Sequence, residues 1–287
     1  MTPDPNKTAR ELLAFYLETG VDTPMGEAPV DRFAGDKSPE MARPMVRDAG
    51  RSPAPHHEAG GNPRPEERSA GSRLEGRAAP NVAAPPSPDI AAMAAREAVK
   101  DIRTLKELRA ALDAFEGCAL KATAKQLVFA DGNPKAKVMF VGEAPGRDED
   151  IEGLPFVGRS GKLLDRMLAA IGLDRTGVYI ANIIPWRPPG NRTPTPQESQ
   201  ICLPFIQRQI ELVNPDILVC LGGPSAQTLL GIRDGITKTR GRWFTYDTGT
   251  REIRAMPTFH PAFLLRSPLQ KRLAWRDFLA IKKALAG

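Results

Sequence analysis

Cysteine is scarce in this chain of 287 residues. Cys118, Cys202 and Cys220 are its only three, they are far apart, and an odd number of separated cysteines excludes a disulfide framework. Long apolar runs are missing too: no stretch approaches the roughly 18 residues that a membrane helix requires. The first twenty residues, MTPDPNKTARELLAFYLETG, lack the cationic-then-apolar form of a secretory signal. A cytoplasmic protein without a membrane partner is therefore expected. Neither G-x-G-x-x-G nor a P-loop lysine follows the first apolar run, which disfavours dinucleotide and nucleotide-triphosphate chemistry.

Aromatic residues are nearly absent from one region. Between Val21 and Arg109 the sole aromatic is Phe33, while residues 1–100 carry 14 of the 28 prolines. Such a stretch buries too little apolar surface to offset chain entropy, so residues 21–88 are expected to be a disordered linker that includes His56 and His57. Ahead of it, Leu12, Leu13, Phe15, Tyr16 and Leu17 are spaced as a short amphipathic helix within residues 1–20, ending at Gly20 and suited to docking on the domain or on a protein partner. Residues 89–287 are expected to form the folded domain.

Within that domain the pattern is helical from Ile90 to Phe115 and then alternates. The apolar runs AKVMFVG, GVYIANIIPW, PDILVCLGG and REIRAMPTFHPAFLL are separated by helical stretches such as GKLLDRMLAAIG and PQESQICLPFIQRQIELV. Near-continuous apolar strands alternating with helices predict an α/β fold: a three-layer α/β/α sandwich around a central four-stranded, mostly parallel sheet. In such sheets ligands bind at the carboxyl ends of the strands.

Charge is unevenly distributed. Lys and Arg exceed Asp and Glu by 40 to 34, a net +6. From Gly231 onward there are 12 cations against 4 acids, whereas Glu143–Glu152 holds five acids and one arginine. A basic third beside an acidic loop suits a protein that grips phosphates with one surface and does chemistry with another; an ordinary solvated surface has the same composition.

The strand ends carry the candidate chemistry: Gly142-Glu143-Ala144-Pro145-Gly146, then Asn182, then Gly222-Gly223, then His260. An amide presents a donor and an acceptor side by side, the complement of a pyrimidine edge. Phe156 offers a stacking face. A histidine can hydrogen-bond a leaving group gaining negative charge, and a glutamate can position water. Together they describe hydrolysis of a nucleobase from its sugar, although His260 as a packed histidine and Asn182 as a strand-end cap are equally compatible with the spacing.

Three long motifs in register, GEAPGRDEDIEGLPFVGRSGKLL, VYIANIIPWRPPGNRTPTPQE and FHPAFLLRSP, resemble family 4 of the uracil-DNA glycosylases, over roughly Phe115 to Ala286. The resemblance implies a bacterial DNA repair enzyme associated with the nucleoid. It would be monofunctional and monomeric, would hydrolyse the N-glycosyl bond of uracil flipped out of DNA, and would release free uracil and leave an abasic site. The alternative is a weakly active or silent binder of damaged DNA on the same cleft. Glu143, Asn182 and His260 are then the catalytic residues. Gly142, Ala144, Gly146, Glu149 and Phe156 join Asn182 around the base, with Glu149 where a thymine methyl would sit. Arg187, Arg192, Leu264, Leu265 and Arg266 fall on DNA, with the two leucines and Arg266 filling the duplex gap and holding flanking phosphates. No lysine stands at a matched position for lyase chemistry.

Most members of that family hold an iron–sulfur cluster on four cysteines. This chain has Phe115, Cys118, Trp186 and Cys202 at the matching positions. Two thiolates are too few for such a cluster, so no metal or cofactor is expected, with Phe115 and Trp186 as packed aromatics and Cys220 as a small apolar residue inside a strand.

Overall fold

The computed structural model describes residues 87–286. The helix expected within residues 1–20 and nearly all of the expected linker lie outside the described residues.

Proline fixes φ and needs no N–H partner, so it suits the first turn of a helix. Pro88 opens α1 (Pro88–Val99) on that basis, with Ala91, Ala92 and Ala95 turned inward. The single helical stretch expected up to Phe115 is broken here, because Thr104 and Glu107 form a reciprocal cap that starts α2 (Leu105–Ala114). There follow α3 (Leu120–Thr123), β1 (Asp131–Gly132), β2 (Val138–Gly142), α4 (Arg147–Glu152), α5 (Arg159–Ala170) and β3 (Tyr179–Asn182). A second reciprocal cap, Thr195 with Glu198, starts α6 (Pro196–Val213). The chain continues through β4 (Ile217–Leu221), α7 (Gly223–Leu230), α8 (Ile236–Thr239), β5 (Phe244–Asp247), β6 (Glu252–Thr258), α9 (Pro261–Arg266) and α10 (Lys271–Leu285). None of these helices is long and apolar enough to cross a membrane.

The sheet runs β1-β3-β2-β4-β6-β5. The four expected strands form its parallel centre, and two short antiparallel strands, β1 and β5, are added at the edges. The sheet is thus six-stranded rather than four-stranded. Two residues of Asp-Gly and a half-exposed Phe-Thr-Tyr-Asp have no apolar run to mark them.

Side chains alternate across a strand, so each strand feeds two cores. Met139 and Val141 join Leu218, Cys220 and Ala255 beneath α1, α2, α6 and α7. Val138, Phe140, Val219, Leu221 and Met256 meet Leu164 and Leu168 of α5 and Phe278 and Ile281 of α10 on the opposite face. These are the three layers that the apolar strands predicted. Gly142 lies opposite Asn182, and Leu221 opposite Thr258, so the carboxyl ends of all four parallel strands share one edge. β2 connects to β3 on one side and β4 to β6 on the other, which opens a crevice between β2 and β4 at that edge.

Candidate active site

A cavity of about 650 Å³ occupies this crevice, lined by the loops that follow all four parallel strands. It exceeds a single pyrimidine, so a base and its attached sugar fit together.

Asn182 ends β3 and is buried. No hydrogen bond within the described residues occupies its side-chain amide. Both ends of the amide therefore remain available to a ligand. Gly142, directly across the ladder, explains how Asn182 and Phe156 come so close. A Cβ at that position would collide with Asn182 Oδ1 and stand 2.7 Å from Phe156 Cζ. The glycine is required by close approach of side chains rather than by backbone freedom.

Phe156 is 4% exposed, and its ring centroid lies 5.5 Å from that of His260 at an interplanar angle of 33°. His260 caps α9, its Nδ1 accepting the Ala262 N–H at 3.1 Å. That bond places the ring proton on Nε2, leaving a neutral donor. Burial, helped by the Arg266 charge, pushes the histidine down to about 4. Gly222, at φ 98°, lets β4 turn beside the imidazole, since a Cβ there would stand 3.1 Å from His260 Cβ.

Burial raises the Glu143 carboxyl above its usual value, as expected for a carboxylate with few neighbouring donors. Glu149 lines the cavity, but its carboxylate is committed. Oε2 accepts the Gly146 N–H at 3.0 Å, and Oε1 accepts those of Val157 and Gly158, each at 3.1 Å. It clasps the GEAPG turn to the turn that carries Phe156. Glu149 therefore holds the Ala144–Gly146 backbone that forms one wall of the cavity.

The residues expected on DNA divide. Arg266 is exposed and lines the cavity mouth. Arg187 donates to Asn191 Oδ1 at 2.6 Å and lies 3.9 Å from Asp150, and Arg192 forms a two-pronged pair with Glu198 at 2.8 and 2.6 Å. Both arginines brace the Pro188–Pro194 loop that walls the cavity. Leu264, expected to fill the duplex gap, is 1% exposed and packs with Leu163, Phe259 and Ala274. Leu265 is half-buried against the same cluster. The exposed leucine of this segment is Leu269, 84% accessible beyond the Ser267-Pro268 turn. Sequence reasoning passed over it because an isolated leucine between proline and glutamine belongs to no periodic stripe.

The positions matched to a cluster do not fit one. Phe115 packs edge-to-face on Phe205, centroids 5.0 Å apart, and Trp186 is buried. Cys202 donates to Cys118 Sγ at 3.9 Å, and that bond, with full burial, holds the Cys202 thiol well above its ordinary value. Two hydrogen-bonded thiols and two aromatic rings provide no four-ligand set. No group of three or more metal-binding side chains occurs among the described residues.

Residues 129–279 match the family model described as the uracil DNA glycosylase superfamily. The chain is 42% identical over 168 residues to a type-4 uracil-DNA glycosylase of Archaeoglobus fulgidus, covering 57% of this chain and 84% of that protein. It is 44% identical over 151 residues to one of Thermotoga maritima, covering 52% and 77%, and 42% identical over 174 residues to one of Saccharolobus solfataricus, covering 59% and 81%.

Proposed function

The chain belongs to the uracil DNA glycosylase superfamily, and from that premise we propose that it excises uracil from DNA, with Glu143, Asn182 and His260 as the catalytic residues. The observation that carries this reading is the convergence of an unoccupied amide, a neutral imidazole and a partly desolvated carboxylate on one cavity.

The uracil nucleotide rotates out of the duplex and enters the cavity, at a cost of a few kcal/mol that is smallest for a weakened pair. Asn182 accepts from N3–H and donates to O4, and Phe156 stacks on the ring. As the bond between N1 and C1′ breaks, its electron pair passes to the base. His260 Nε2–H donates to O2, where the negative charge collects; a pre-placed donor of this kind is worth about 10²–10³ in rate. The sugar becomes cationic, and the Glu143 carboxylate favours that charge. Glu143 also orients a water whose oxygen bonds to C1′, and the proton of that water leaves through the carboxylate to solvent. The products are an abasic sugar and uracil, released as an anion that solvent protonates. Hydrolysis by water needs no lysine, so the enzyme is monofunctional.

Arg266 and other exposed cations beyond Gly231 neutralise phosphates, and Leu269 fills the space left by the extruded nucleotide. The enzyme works without an iron–sulfur cluster, the Phe115, Phe205 and Trp186 packing taking over its bracing of the arginine–proline–proline loop. A silent binder is disfavoured, since mere grip on a lesion would not require the intact trio.

A uracil-containing oligonucleotide is incubated with the protein and then heated in alkali. Breakage at uracil by the wild type only after alkali, and its loss in Asn182→Ala and His260→Ala, supports this reading. Retarded mobility without breakage would replace it with the binder.

A further inference from the structure

Phe156 adopts φ 57°, in the left-handed region that bulky side chains avoid. Something must hold it there. From the pocket side Glu149 fixes only the residues that follow, through the Val157 and Gly158 N–H groups. The carbonyls of Pro155 and of Phe156 itself are held by Arg175, on the loop before β3. Its Nη1 donates to the Pro155 carbonyl at 3.1 Å and its Nη2 to the Phe156 carbonyl. The same guanidinium is aimed from behind by two carboxylates: Asp131 of β1 accepts from Nη1 at 2.6 Å, and Asp165 of α5 accepts from Nε at 2.8 Å. Gly161 closes the arrangement, since any Cβ there would run into the Phe156 carbonyl.

Arg175 thus joins an edge strand, a helix and the turn that carries the stacking ring. We infer that Arg175 is a positioning residue that fixes the Phe156 ring as a preformed platform for the extruded base. The inference rests on Phe156 being the stacking surface proposed above. A planar fork with five donors serves two carbonyls and two carboxylates at once, whereas a lysine ammonium at the same place keeps the charge but not the geometry. Were the ring left to find its place in each encounter, base affinity would fall while the grip on the phosphates would not.

The test measures inhibition of the full chain by free uracil, binding of abasic-site DNA, and the thermal midpoint. Phe156→Ala and Arg175→Lys are expected to weaken uracil inhibition by about tenfold, the scale of one lost stacking contact, with abasic-DNA binding within about twofold of wild type. Asp165→Asn keeps both carbonyl bonds and is expected to lower the midpoint only. If Arg175→Lys does not fold, the double variant Arg175→Gln/Asp165→Asn, which leaves only the partly exposed Asp131 without its partner, carries the same expectation. Wild-type uracil inhibition in the Arg175 variant, or equal weakening in Asp165→Asn, overturns the positioning role. Wild-type inhibition in Phe156→Ala overturns instead the stacking assignment on which it rests.

Discussion

The Ala262 N–H binds Nδ1 of His260 at 3.1 Å, so the imidazole proposed as catalytic is fixed as a neutral ring with its proton on Nε2. A helix cap therefore selects the tautomer that the proposed reaction requires. Its group titrates at about 4, so the rate should show no histidine limb between pH 5 and 8. Nitrogen NMR should find Nδ1 unprotonated and Nε2 protonated throughout that range. His260→Ala should lower kcat by about 10²-fold.

The same depressed value has a consequence for stability. An unfolded histidine takes its proton near 6.5, the folded one near 4. Between those values the unfolded state binds the extra proton, so stability should fall as pH drops from about 6.5 to about 4. Urea unfolding across that range should show a shallower pH dependence in His260→Ala; an unchanged slope would assign the effect elsewhere.

Glu143, in the role proposed for it, should supply the acid limb of activity. Burial raises its carboxyl, and the protonated form neither orients water nor favours a cationic sugar. The rate should decline on acidification with a midpoint above the ordinary carboxyl value of 4.5. Glu143→Gln should be slower by about 10²-fold and should lack that limb. A pH series of single-turnover rates for both proteins checks it.

Gly142→Ala should cripple the enzyme without unfolding it. The added methyl meets Asn182 Oδ1 and the Phe156 ring, displacing the two side chains proposed to hold the base. A loss of at least about tenfold in kcat/KM is expected, the scale of one good hydrogen bond, with a native circular dichroism spectrum. Wild-type kinetics would mean that neither side chain needs its present place.

Two nearby leucines should separate stability from DNA engagement. Leu264→Ala should cost about 2–5 kcal/mol of stability, as buried leucines do, because Leu264 is enclosed by Leu163, Phe259 and Ala274. Leu269→Ala should leave stability unchanged and slow uracil release from duplexes more than from single strands, since only a duplex leaves a gap to fill. Equal slowing on both substrates would remove Leu269 from that role.

The aromatic plug makes a further prediction. Phe115→Ala should destabilise the protein by about 3–5 kcal/mol, as it removes the ring that packs on Phe205. The purified wild type should contain no iron and show no absorbance near 400 nm.

Much of the fold was legible along the chain because strand identity is a local property. Apolar runs such as VMFVG and ILVCL are buried on both faces, which only a covered parallel sheet permits. The edge strands β1 and β5 were not legible, because an edge needs no apolar run, only a neighbour to bind. Asn182, His260 and Glu143 could be named because each ends a strand or follows one closely, and parallel strands bring such ends together.

The amino-acid order by itself determined the four central strands and most of the helices, that no four-thiolate set exists, and which polar side chains stand at the carboxyl edge of the sheet. Only the tertiary structure decided that Leu264 is enclosed while Leu269 stands in solvent, that Arg187 and Arg192 are already paired, and that Arg175 reaches Phe156 across nineteen positions. The reason is physical. Strand and helix preference is set by neighbours a few residues away, whereas exposure and pairing depend on which distant surfaces pack against each other.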